Sequence, residues 1–80
     1  MEYFYQLVQS ARELLAANGF DTAFRELLAA ERSATTSGEA ISSVGVVLKR
    51  VAEMDLPAAT RAAVLAALTE GERLWQEAND

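Results

Sequence analysis

The chain has 80 residues, with seven Lys and Arg against twelve Asp and Glu for a net charge of −5, and it contains neither His nor Cys. That composition excludes a disulfide framework, a Cys/His zinc site, a thiol nucleophile and the commonest general base. Half of the residues (51%) are hydrophobic but only 8% are aromatic, so the apolar mass is Ala, Leu and Val, and the length allows one domain at most. Apolar runs reach seven residues at most, Ala62–Leu68, far short of the ~20 needed to span a membrane. The opening Met1-Glu2-Tyr3-Phe4-Tyr5 has no basic stretch ahead of an apolar one. The expectation is a cytoplasmic protein without a signal peptide.

The pattern is helical from the start. Phe4, Leu7, Val8, Ala11, Leu14 and Leu15 recur with the spacing of one buried helix face, which predicts a first helix over 2–17. Asn18-Gly19 ends it: Gly19 can take the left-handed conformation, and Phe20 packs back on the last turn. Asp21 is then placed to cap a second helix over 22–32, whose stripe is Phe24, Leu27 and Leu28. From Arg32 to Gly38 the hydroxyl residues Ser33, Thr35, Thr36 and Ser37 compete with helical backbone bonds, so this segment reads as the main loop.

Thr36 and Glu39 have the spacing of a capping box opening a third helix over 37–54. Its stripe is Ala40, Ile41, Val44, Val47, Leu48, Val51 and Met54. Gly45 inside this helix predicts the close approach of a neighbouring helix; the sharper reading is a partner contact over Gly45 and the off-stripe Val46. Leu56-Pro57 marks a boundary and opens a fourth helix over 57–77. There Val64, Leu65, Leu68 and Trp75 are expected to face the core, with a bend or close crossing at Gly71. The fold class predicted is therefore all-α: a small antiparallel four-helix bundle with short connections.

The residues offer little chemistry. Ser42 and Ser43 are six or seven positions from Lys49, about two turns, which is beyond the reach of a Ser–Lys dyad. Glu70 and Glu72 point to different sides of a helix, and the four glycines are isolated in different elements, so there is no phosphate loop. No catalytic, cofactor-binding or metal-binding residue is assigned. A helix-turn-helix through Phe20–Leu28 and Ile41–Val51, ending in Lys49-Arg50, is weakened by the long connection and by the acidic charge, which opposes phosphate binding.

Two features lie off the stripes. Residues 69–80 hold Glu70, Glu72, Glu77 and Asp80 against Arg73, an excess that opposes the helix dipole and gives the molecule an acidic end. Tyr3 and Tyr5 flank Phe4, and tyrosines are favoured where partners bind. In an up-down-up-down bundle these two features share one end. The six residues Tyr3, Tyr5, Glu70, Glu72, Glu77 and Asp80 are the candidate partner-binding set, facing a protein with a basic surface.

Leu14-Leu15 leading to Gly19, the segment Ser37-Gly38-Glu39-Ala40-Ile41 and the Leu56-Pro57 helix start give the chain a resemblance to a family of short, all-helical, functionally uncharacterised bacterial proteins. The resemblance implies a fold and no site. The function expected from the residues is that of a non-enzymatic protein-binding module, an inhibitor of the immunity-protein, antitoxin or phage type. The alternative is a homodimerising structural or adaptor protein that uses Tyr3, Tyr5 or Val46.

Overall fold

A computed structural model describes residues 1–79. It contains four helices and no strand among the described residues: α1 (Glu2–Ala17), α2 (Asp21–Ser33), α3 (Ser37–Ala52) and α4 (Ala58–Asn79). Each helix packs on two neighbours, in the ring α1–α2–α3–α4–α1, which is an antiparallel four-helix bundle. Asn18, just past α1, hydrogen-bonds Thr60 in the first turn of α4, and Phe4 at the start of α1 lies against Gly71 near the end of α4. The start of α1 and the end of α4 therefore share one end of the molecule.

The α1 to α2 corner follows from local chemistry. Gly19 has φ +83, Phe20 N–H donates to Leu15 O at 2.9 Å and Gly19 N–H to Ala16 O at 3.2 Å. These are the paired bonds of a Schellman motif, and Phe20 folds onto the core beside Leu15. Asp21 is not the cap. Phe20 occupies that position without a side-chain bond, and Asp21 is the first helical residue, where its charge complements the dipole.

The connection from α2 to α3 is only Ala34–Thr36, because Ser33 and Ser37 both join helices. Thr36 caps α3 as expected, its Oγ1 accepting from Glu39 N–H at 3.1 Å. Glu39 does not return the bond to Thr36. Its Oε2 accepts from Thr35, from the backbone N–H at 2.9 Å and the hydroxyl at 2.8 Å. Two donors one residue earlier are thus satisfied together, which shortens the loop. At the other end α3 stops at Ala52, leaving Met54 outside the helix and exposed.

The core is built from Phe4, Val8, Ala11, Leu15, Ala23, Leu27, Ile41, Val44, Val47, Leu48, Val51, Leu56, Val64 and Ala67. Leu7 and Leu68 pack partly against it, and Leu14, Phe24 and Leu28 are half-buried. On α4 the expected face is right at Val64 and in part at Leu68, and wrong at Leu65 and Trp75. Leu65 is 43% and Trp75 47% exposed, whereas the inward residues are Thr60, Val64, Ala67 and Gly71. Those four recur every three or four positions, so they form a true helix face, but one of small side chains. At Gly71 no larger residue fits, because α4 comes close to α1 there. A Cβ added at Gly71 would sit 3.0 Å from Phe4 Cε1. Gly45 is the reverse case: nothing lies within 4 Å of where its Cβ would be, so no helix crosses closely there.

Candidate partner-binding surfaces

The six residues singled out from the sequence do not form one patch. On α4, Glu70 and Glu72 diverge by about 200°. Glu70 lies on the α1 side, within the influence of the chain's amino terminus, while Glu72 lines a groove shared with α3. Glu77 is seven positions from Glu70 and follows it to the α1 side. On α1, Tyr3 and Tyr5 also diverge by about 200°. Tyr5 shares the flank of Arg12, which reaches Glu31 on α2, and Tyr3 falls on the opposite flank, toward α4. The structure thus places Tyr3, Glu70 and Glu77 along the α1–α4 edge, Glu72 over the α3–α4 groove and Tyr5 beside α2. Asp80 lies outside the described residues.

The acidic end is also partly neutralised. Arg73 donates to Glu70 through Nε (2.8 Å to Oε1) and Nη2 (2.7 Å to Oε2), and through Nη1 to Glu77 Oε1 at 2.6 Å. The forked bond from Arg73 holds the Glu70 carboxyl below its usual range and raises the already high pKa of the guanidinium. Glu70 is largely covered, its side chain 12% exposed, while Glu77 is 62% exposed. Arg73 and the nearby amino terminus stand against the two carboxylates, so Glu77 is the exposed acid left at this edge, next to Tyr3, itself 59% exposed.

The second surface was only half legible in the sequence. Between α3 and α4 runs a groove of about 180 Å3, floored by Ile41, Leu48 and Leu68 and rimmed by Val46, Trp75, Lys49 and Glu72. Gly45 forms an open notch in it. Val46 is the most exposed large apolar residue of the described chain at 64%, and Leu65 continues the same side of α4 one turn before Leu68. The groove exists because α4 turns its small residues inward and leaves its large ones outside. A signal for it was present: Val64 belongs both to the expected stripe with Leu65, Leu68 and Trp75 and to a second one with Thr60, Ala67 and Gly71, and the larger side chains of the first outweighed the second.

Other charged groups do structural work that the sequence did not reveal. Arg12 Nε and Glu31 Oε2 lie 2.8 Å apart, both out of solvent, in a close charge contact rather than an aligned hydrogen bond. Burial raises the Glu31 pKa, and Arg12 only partly opposes that. Arg50 on α3 pairs with Glu26 on α2. Arg61 on α4 donates to Ala52 O at 2.7 Å and Met54 O at 2.6 Å, closing the C-terminal end of α3 with a positive charge. Among the described residues no group of three acidic side chains is placed to hold a metal ion, and no helix is long and apolar enough to cross a membrane. Comparison with models of known protein families, with curated proteins and with solved structures returned no match.

Proposed function

We propose that the protein is a non-enzymatic protein-binding module acting stoichiometrically on a partner with a basic surface, in the manner of a cytoplasmic bacterial immunity protein, antitoxin or phage-type inhibitor. The observation that carries this reading is the α1–α4 edge, where exposed Tyr3 stands at the same end as Glu77 and the Arg73-bound Glu70. An aromatic ring beside the exposed Glu77 carboxylate suits a basic partner: the ring supplies contact area and the carboxylate offers a cation a place to bind. The net charge of −5 extends that attraction over the whole molecule. The chain has no His or Cys and no paired nucleophile and base, which favours action by contact. A helix-turn-helix reading gains from the three-residue connection between α2 and α3, but Arg50 of its second helix is already paired with Glu26 and the acidic charge repels phosphate.

The test is capture of the partner by tagged protein from the source cell, compared with the double variant Tyr3→Ala, Glu77→Lys. Both positions are exposed, so the fold is retained. The variant is expected to bind about tenfold more weakly with a shallower dependence on salt. A partner that binds both forms alike, or one with an acidic surface, overturns the reading.

A further inference from the structure

The α3–α4 groove is separate from that edge and has a different occupant. We infer that it is the seat of a second copy of this chain, joined through a two-fold interface. A two-fold contact uses the same patch twice, so the patch must complement itself. This one does so in shape and in charge. Val46 projects as a knob, and Gly45, the residue before it, is an open notch with no atom within 4 Å of a Cβ position. Lys49 and Glu72 stand on the two walls of the groove, and neither makes an ion pair within 4 Å among the described residues. When two such patches face each other, Lys49 of one copy meets Glu72 of the other, and the pair occurs twice.

The arrangement of apolar groups points the same way. Val46, Leu65 and Trp75 are exposed and Leu68 is half-buried, all on one side of the molecule. Chains of this size gain little from their own core and commonly add stability by oligomerising. A stable interface needs ~800 Å2 from each partner, and a side of a molecule measuring 36 × 22 × 20 Å has room for one. A basic partner suits this groove less well than a copy does, because Lys49 cancels Glu72 on its rim. This surface lies apart from the α1–α4 edge, and neither depends on the other.

Sedimentation of the full chain from micromolar to millimolar concentration tests it. The expected result is a reversible monomer–dimer equilibrium. Val46→Glu should raise the dimer dissociation constant about tenfold or more while far-UV circular dichroism stays helical. Lys49→Glu should weaken the dimer as well, and Lys49→Glu with Glu72→Lys should restore it, because the swap exchanges the partners of an intermolecular pair. A wild-type chain that remains monomeric throughout, a Val46→Glu dimer as tight as wild type, or a charge swap that rescues nothing overturns the inference. None of these outcomes alters the capture experiment on the α1–α4 edge.

Discussion

At the scale of single residues, two glycines in helices have opposite meanings. Gly71 is buried under the ring of Phe4, and Gly45 faces open space. Replacing a helical Gly by Ala gains about 1 kcal/mol from backbone propensity, and overfilling a packed site costs about 1–3 kcal/mol. Gly45→Ala therefore keeps the gain and should stabilise the fold by up to ~1 kcal/mol. In Gly71→Ala the new methyl meets a fully buried ring at 3.0 Å, so the packing cost prevails and the variant should lose about 1 kcal/mol. Thermal melting at low concentration compares the two. Equal shifts in the same direction would remove the close Phe4–Gly71 approach as an explanation of the α1–α4 packing. Leu27, fully buried on α2, supplies the reference for an ordinary core position, where truncation to Ala should cost about 2–5 kcal/mol.

Elements are held at their ends by different means. The start of α3 is satisfied locally, through Thr36, Thr35 and Glu39, all within five residues. Its end is satisfied at a distance, by the Arg61 guanidinium reaching from α4 to two carbonyls. Arg61→Ala leaves both carbonyls without that donor and removes a cation from the negative end of the dipole, a loss of about 1–2 kcal/mol. Arg61→Lys should recover less than half of it, since the shorter lysine lacks the two separated nitrogens that serve one oxygen each. Denaturant melts of the two variants measure this. If the lysine variant matches wild type, charge alone closes the helix and the forked geometry has no weight.

For the whole molecule, pH dependence sums contributions of opposite sign. Glu39, held low by its bonds from Thr35, and Glu70, held low by Arg73, favour the ionised form in the folded state. Their stabilisation is present above the unfolded value near 4.5 and is lost as the pH falls through their folded values. Glu31 acts in reverse. Its pKa is raised by burial, so its contribution is fully present below 4.5 and is lost as the pH rises through its folded value. On acidification Glu31 thus offsets part of the loss from Glu39 and Glu70. Glu31→Gln removes the offset, and its stability should fall more steeply than wild type between neutral and pH ~3. Denaturant midpoints across that range decide it; a shallower slope in the variant would mean that the Arg12 contact outweighs burial at Glu31.

The sequence by itself determined what depends on near neighbours along the chain. The four helices, the Gly19 corner, the Thr36 cap and the inward stripes of α1 and α3 follow from spacings within one or two turns, where backbone chemistry and a single clear apolar face leave one answer. Composition alone set the acidic balance and the poverty of catalytic groups. Tertiary structure decided what depends on how closely helices approach. Helix α4 carries two apolar stripes that share Val64, and residue size along the chain favours the larger one, Val64, Leu65, Leu68 and Trp75. Packing against both α1 and α3 turned Thr60, Val64, Ala67 and Gly71 inward, and at Gly71 the absence of a side chain lets the ring of Phe4 come within contact. That choice turned the large side chains outward and opened the α3–α4 groove. The candidate site divided for a related reason: a helix sends residues two apart to opposite flanks, and which neighbour each flank meets is fixed only when the bundle closes. Arg61 on the end of α3 is likewise a matter of assembly, since its two carbonyl partners belong to another part of the chain, whereas Arg73 meets Glu70 and Glu77 at the one-turn spacings of its own helix.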